Sequence, residues 1–289
     1  MSDEAGRSAN IEREAVRQAA RAGAPDRYLA ALLSPRPARE DLIATAAFLA
    51  EVGRVPRLVN EPMMGEIRLQ WWRDALAPLA RGEATGNPVA DAFGRVLVRR
   101  RPPLGLVHGV LDAIEAELDA EPVSDEMAFR ALQAKREGGA FALALACLEA
   151  GRAGERGRVV ELAGQAYGVA RTLTDLPWAL ARGRVPLPVD RMAAHGLAAA
   201  DLLASAPAPG VRVLLASLAG DARRAVVELR GPFSRLPREA RTALLPVALV
   251  EPYLRVLERT GHDALRQPAE MLPLERVWRL WRAARFARL

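Results

Sequence analysis

Apolar residues recur at helical spacing through almost the whole chain, and this periodicity limits the fold more than any other feature of the sequence. Residues 158–176 are the clearest example, because their apolar side chains form one continuous stripe with polar residues off it. The stripe consists of Val159, Leu162, Ala163, Ala166, Val169, Ala170, Leu173 and Leu176. Segments that alternate apolar and polar residues up to an Asn-Gly or Asp-Gly turn, as a β-hairpin requires, are absent. The sequence therefore predicts an all-α protein.

Prolines mark where many of the predicted helices begin, because proline lacks a backbone N–H and suits a first helical turn. The prolines that precede a helical pattern are Pro62, Pro88, Pro209, Pro237 and Pro273. We predict helices at 10–22, 26–34, 38–55, 62–80, 88–100, 104–119, 124–150, 155–182, 198–205, 209–230, 237–260 and 273–287. The connections are short and no repeat of fixed length is visible. We therefore expect one helical domain over residues 23–289, preceded by a polar segment and helix over residues 1–22.

The basic charge of the chain is carried almost entirely by arginine. There are 41 Lys and Arg residues against 35 Asp and Glu, a formal net charge of +6, and Lys135 is the only lysine. Aromatic residues make up only 5% of the chain, and acidic residues lie between the arginines, so we expect no nucleic-acid partner. Arginine is well suited to phosphate and carboxylate groups, which makes an anionic membrane surface a candidate partner.

The single cysteine and the apparent absence of a targeting segment favour the cytoplasm. Cys147 lies in an apolar run and has no companions at metal-ligand spacing, so we predict a core position for it. No stretch reaches the roughly 18 uninterrupted apolar residues of a membrane-spanning helix. The first ten residues are polar, unlike a signal peptide. We expect a cytoplasmic protein, and peripheral attachment to the inner membrane is a further candidate.

Three parts of the chain carry a resemblance to known proteins. They are residues 26–76, residues 167–190 and residues 236–255. The most specific signal is the run from Asn60-Glu-Pro through Gly65 to Gln70-Trp-Trp-Arg73. With these segments the chain resembles the squalene/phytoene synthase family, and more narrowly the divergent branch that includes a mitochondrial complex I assembly factor. The resemblance implies the all-α isoprenoid synthase fold with a central cavity among the helices.

The resemblance also implies a particular chemistry, from which this sequence departs. Active members hold two diphosphates through Mg²⁺, which prefers carboxylate and phosphate oxygens, and two facing Asp-rich helices supply the carboxylates. Here the positions of the first motif hold Gly53, Arg54 and Arg57. The second motif keeps Asp175, but Ala179 replaces its partner carboxylate. We expect no catalytic residues, no metal ligands and no cofactor, with Mg²⁺ required only if the chain is a transferase after all.

The arginines at these positions form a candidate anion site. If Arg54, Arg57 and Arg171 converge as the family's aspartates do, they would bind a diphosphate, a carboxylate or an acidic segment of a partner. Arg184 follows the second motif and is a candidate fourth member, and Asp175 is spaced to pair with Arg171 along one helix. The alternative is that these arginines form ordinary surface ion pairs with acidic neighbours, and both explanations stay open.

Two other segments also have two explanations each. Gly138-Gly139 interrupts a helical pattern, which indicates either close packing of two helices or room for a ligand. Residues 274–289 form a basic amphipathic pattern that contacts a membrane or partner, or caps the helical bundle. Tyr253, in the third family-like segment, is predicted to be a packing residue.

Three functions follow from the resemblance. The first is a protein without prenyl transfer activity that assists the assembly of respiratory complex I, with a subunit of that complex or the inner-membrane surface as partner. The second is a divergent transferase acting on prenyl diphosphates with displaced metal ligands. The third is a carrier that binds an isoprenoid or lipid without metal. Composition and spacing alone do not distinguish among them.

Overall fold

The computed structural model describes residues 2–149, 156–204, 208–286 and 289, with side chains from residue 10 onward. Sixteen α-helices occupy the described residues. They are α1 (Ser2–Gly23), α2 (Pro25–Leu32), α3 (Arg36–Gly53), α4 (Val55–Leu58), α5 (Pro62–Ala80), α6 (Pro88–Arg100), α7 (Leu104–Glu115), α8 (Glu126–Gln133), α9 (Gly139–Leu148), α10 (Gly157–Leu180), α11 (Val189–Ala194), α12 (Ala199–Leu203), α13 (Pro209–Arg235), α14 (Arg238–Arg241), α15 (Val250–Leu257) and α16 (Pro273–Phe286). Short 3₁₀ segments at Ala116–Leu118 and Thr242–Leu249 and a π-helical turn at Ala134–Gly138 complete them.

The all-α prediction is confirmed, because the described residues contain no β-strand beyond one isolated bridge between Val123 and Pro188. The predicted helix at 237–260 was wrong in its interior. Thr242–Leu249 is a 3₁₀ segment that contains Pro246, whose missing N–H disfavours a continuous α-helix. In contrast, α13 continues through Pro232 to Arg235, beyond its predicted end.

The helices enclose two large hydrophobic clusters. One is built around α10 and α13, with Leu173 and Leu229 among its fully buried members. The other surrounds α3, where Phe48 stacks on Phe93 with ring centroids 4.1 Å apart. Helix α1 packs against α3, and its Ala20 belongs to the second cluster. No helix in the described part of the chain combines the length and the apolarity needed to cross a membrane.

The two glycines at 138 and 139 allow helices to approach closely. A Cβ at Gly164 of α10 would lie 2.7 Å from the backbone nitrogen of Gly138, and a Cβ at Gly139 would lie 2.8 Å from Val110. Close packing, the first of the two explanations above, is therefore observed. The π-helical turn that ends at Gly138 adds one residue to the helical register, and it carries Arg136 and Glu137 in a buried position.

Candidate functional site

Two cavities lie among α3, α4, α10 and the π-helical turn. The larger has about 1580 Å³ of space and the smaller about 930 Å³, each including its opening to solvent. Some of the lining residues belong to both cavities. These shared residues are Gly53, Arg57, Arg136, Arg171, Asp175 and Trp178. The boundary between the two cavities is therefore formed mostly by charged side chains.

Asp175 is held by two of the arginines predicted from the sequence. Arg57 forms an ion pair with one carboxylate oxygen, and the guanidinium of Arg171 lies 3.1 Å from the other. Arg57 comes from α4, whereas Arg171 and Asp175 lie one turn apart on α10. The predicted pairing along the helix is present, and a residue from a distant helix joins it.

Glu137 is the second acidic centre and lies deeper than Asp175. Its side chain is only 6% exposed and forms an ion pair with Arg27 of α2. The guanidinium groups of Arg171 and Arg136 lie 3.0 and 3.5 Å from the same carboxylate. Arg136 also contacts Glu117 at 2.7 Å. We refer to Arg27, Arg57, Arg136, Arg171, Glu117, Glu137 and Asp175 as the ion-pair network.

Within the ion-pair network, the pKa is lowered for the carboxyl group that faces several arginines. Burial by itself would raise the pKa of Glu137, but Arg27, Arg171 and Arg136 together lower it below its usual range. At Glu117 desolvation prevails and raises the pKa, although Arg136 opposes it. Burial lowers the pKa of Arg136, whereas the neighbouring carboxylates raise that of Arg171 against the effect of burial. Four arginines and three acids make the network positive by one charge when all are ionised.

The other two predicted site residues have different positions. Arg54 follows the end of α3, is half exposed and pairs with Glu51 at 2.7 Å, outside both cavities. Arg184 is buried at the wall of the smaller cavity, where it donates to the carbonyl oxygens of Pro56 at 2.7 Å and Val59 at 3.4 Å. These bonds tie the segment after α10 to α4. Of the five predicted residues, Arg57, Arg171 and Asp175 come together.

A second polar cluster, not predicted from the sequence, lines the larger cavity. Asp26 is buried and accepts hydrogen bonds from the hydroxyl groups of Tyr167 and Tyr253, each at 2.8 Å, while Arg276 contacts it at 2.8 Å. Burial raises the pKa of Asp26, an effect that Arg276 and the two tyrosines partly oppose. Tyr253 packs against the core as predicted, and its hydroxyl also has this polar role. The sequence offered one signal, the polar Asp26 within a family-like segment.

The donor set does not suit the magnesium cluster that the isoprenoid synthase fold implies. Within the described residues no three His, Cys, Asp or Glu side chains are grouped so as to hold a metal ion. The acids of the network, Glu117, Glu137 and Asp175, each have a guanidinium within ion-pair distance. A Mg²⁺ ion would need these oxygens and would meet the positive charge of the arginines that hold them. The residues present therefore do not fit a magnesium cluster.

Comparison with known proteins places this geometry in context. The profile described as squalene/phytoene synthase matches residues 20–281. A curated relative, "NADH dehydrogenase (ubiquinone) complex I, assembly factor 6" of Rattus norvegicus, is 27% identical over 261 residues, which is 88% of this chain and 78% of that protein. A phytoene synthase of Thermus thermophilus is 36% identical over 134 residues, 45% of each chain. The resemblance expected from the sequence is confirmed.

A solved structure supports the same fold. A dehydrosqualene synthase crystallised with a ligand superposes with a TM-score of 0.81 and 16% sequence identity, and the match covers 97% of this chain and 98% of that one. The predicted isoprenoid synthase fold with a cavity among its helices is thereby confirmed.

Proposed function

The chain belongs to the squalene/phytoene synthase family, and we propose that it is a member without prenyl transfer activity that assists the assembly of respiratory complex I. The observation that carries the first part is the ion-pair network. Arginines from three separate segments pair with the carboxylates that line the two cavities, which are Asp175, Glu117 and Glu137, so these oxygens are already engaged and are not free to bind Mg²⁺. Without the metal, the negative charge that a departing diphosphate develops has no divalent cation to neutralise it.

The role in assembly rests on the relatives. Those named complex I assembly factor 6 match along 88% of this chain, including one from Homo sapiens that is 24% identical over 259 residues. The match to the phytoene synthase is higher in identity but covers 45% of the chain. A subunit of the respiratory complex is the partner that this proposal implies, at the inner-membrane surface.

Calorimetric titration with farnesyl diphosphate, with and without Mg²⁺, tests the loss of prenyl transfer. We expect Mg²⁺ to add nothing to binding, and no diphosphate to be released on incubation, because arginines already hold the carboxylates. Tight binding that requires Mg²⁺, together with diphosphate release, would contradict the proposal and favour the divergent transferase.

Deletion of the gene tests the assembly role. Loss of assembled complex I on native gels is expected, with recovery when the parent chain is supplied. An Asp175→Asn variant should also restore the complex, because no metal is to be bound there and the partly exposed ion pairs of Asp175 contribute only about 0–1 kcal/mol each. Normal complex I in the deletion strain would refute the assembly role and leave the result of the titration intact.

A metal-free carrier of an isoprenoid or lipid is a second candidate, favoured by the size of the larger cavity. Its interior volume of about 550 Å³ lies within the roughly 300–1000 Å³ of common ligand sites, and Arg57 and Arg171 are partly exposed beside it. In that case farnesyl diphosphate would bind without Mg²⁺. Arg171→Ala should weaken that binding, whereas Arg54→Ala, the matched control outside both cavities, should not.

A further inference from the structure

Helix α16 presents an apolar face to solvent. Its inner face, with Leu280 and Ala283, packs on the 3₁₀ segment Thr242–Leu249 and so caps the bundle. The opposite face carries side chains that helical soluble proteins normally bury, and Leu274 is 84% exposed. The large apolar residues exposed on or directly before α16 are Leu272, Leu274, Val277, Trp278, Trp281 and Phe286. Both explanations offered for the C-terminal segment, capping and an outward contact surface, are therefore compatible with one helix.

The charges on this outward face are positive. Arg282 lies over the ring of Trp278 at 4.7 Å, and Arg285 lies over the ring of Phe286 at 5.5 Å. Neither arginine forms an ion pair with a carboxylate of the described residues. The one acidic residue of the helix, Glu275, is engaged with Arg279 at 3.0 Å. The face is therefore both aromatic and basic.

A pocket beside this face has the character of an anion site. It lies between α14 and α16, has about 620 Å³ of space including its opening, and has no acidic residue in its lining. Arg238, Arg241 and Arg285 surround it, and Ala283 and Ala284 lie among its apolar lining. Arg241 is held in place by bonds to the carbonyl oxygens of Ser234 and Leu236, at 2.6 and 2.9 Å.

The segment that leads into α16 also borders the larger cavity. Met271, Pro273 and Arg276 line that cavity, while Leu272 and Leu274, between and beside them, are exposed. The outward apolar face therefore begins at the rim of the cavity.

We propose that the outward face of α16, together with the arginine pocket next to α14, binds the surface of an anionic lipid bilayer. Tryptophan is enriched at the level of the lipid headgroups, and an amphipathic helix with arginine beside aromatic residues lies in that interface with its apolar face inserted. The three arginines around the pocket supply donors for a headgroup phosphate. The proposal does not depend on the assembly role, since the surface would bind lipid whether or not the chain serves complex I.

Sedimentation with sucrose-loaded vesicles tests the proposal on the full chain. Vesicles of phosphatidylcholine alone are compared with vesicles in which about a third of the lipid is phosphatidylglycerol, at near-physiological salt. We expect strong pelleting with the anionic vesicles only. Arg282→Ala combined with Arg285→Ala should weaken this binding about 25-fold, because each basic residue near an anionic surface contributes about five-fold.

Two further variants locate the surface. Trp278→Ala combined with Trp281→Ala should also release the protein from anionic vesicles, although it changes no charge. Arg212→Ala combined with Arg230→Ala is the matched control, because both arginines are exposed on α13 and the change in charge is the same. All six substituted side chains are exposed, so the variants should fold. An unchanged melting temperature verifies this for each of them.

Three results would overturn the proposal. The first is absence of pelleting with anionic vesicles. The second is an equal loss in the α13 control, which would indicate attraction through overall charge. The third is that inorganic phosphate binds the parent chain in a calorimetric titration and Arg285→Ala removes this binding, while the parent chain does not pellet with vesicles. That result would assign the pocket to a free anion. Loss of pelleting in both α16 variants, with the α13 control unaffected, supports the lipid surface.

Discussion

Replacing Glu137 by glutamine tests whether the ion-pair network stabilises the fold. The carboxylate is 6% exposed and faces three guanidinium groups, those of Arg27, Arg136 and Arg171. Glutamine keeps the shape but removes the charge, so the three cations are left without their common partner. Removing one member of a buried ion pair costs about 3–5 kcal/mol of the free energy of unfolding.

The expected shift in melting temperature follows from the length of the chain. An unfolding entropy of about 2.1 cal/mol/K per residue gives roughly 0.6 kcal/mol/K for 289 residues. The Glu137→Gln variant should therefore melt about 5–8 °C below the parent in a calorimetric scan at neutral pH. Glu51→Gln is the matched control, because Glu51 pairs with the half-exposed Arg54, and such a pair contributes about 0–1 kcal/mol.

The dependence on pH gives a second readout of the same change. Because the pKa of Glu137 in the folded protein is lowered from its usual value of 4.5, its stabilising effect is fully present above that value. The effect is lost as the pH falls through the lower pKa of the folded state. The difference in stability between parent and variant should thus be constant near neutrality and shrink below about pH 4.5. Equal losses for Glu137→Gln and Glu51→Gln at neutral pH would refute the reasoning.

Three further predictions concern Arg184 at the site, the close packing at Gly164, and the buried Cys147. Arg184→Ala leaves two backbone carbonyl oxygens without their donor and should lower the free energy of unfolding in urea by about 1–3 kcal/mol. Gly164→Ala places a Cβ 2.7 Å from the backbone of Gly138 and should lower the free energy of unfolding by a similar amount. Gly109→Ala is the control, because a Cβ there meets nothing within 4 Å. It should leave the free energy of unfolding unchanged or raise it by up to about 1 kcal/mol. A thiol reagent at pH 8 should react with Cys147 only when the protein unfolds, because burial raises the pKa of this thiol to about 11. Rapid reaction in the native state would contradict the buried position.

Much of the fold was predictable because its helices satisfy local rules. The apolar stripe of residues 158–176 is the buried face of α10, and proline begins α5, α6 and α13 where predicted. Periodicity and proline act within a few residues of chain, so the sequence alone contains them. The same holds for the pair formed by Arg171 and Asp175, which lie one turn apart on one helix.

Packing between distant parts of the chain decided which residues share the site. Arg54 and Arg57 looked equivalent in the sequence, but α3 ends at Gly53 and the following turn directs Arg54 to Glu51 and Arg57 to Asp175. Glu137 enters the network from a π-helical turn, a register change that the apolar pattern does not reveal.

The sequence by itself indicated most of the helical segments and their apolar faces, because both follow from local spacing. Only the tertiary structure decided which charges meet. The carboxylate of Asp26 collects its partners from Tyr167, Tyr253 and Arg276, between 141 and about 250 residues away. The tertiary structure likewise decided that α16 covers its Leu280 face and leaves Trp278 outward. The physical reason is that a pattern of residues fixes the faces of a helix, whereas the face that is buried depends on the neighbour against which the helix packs.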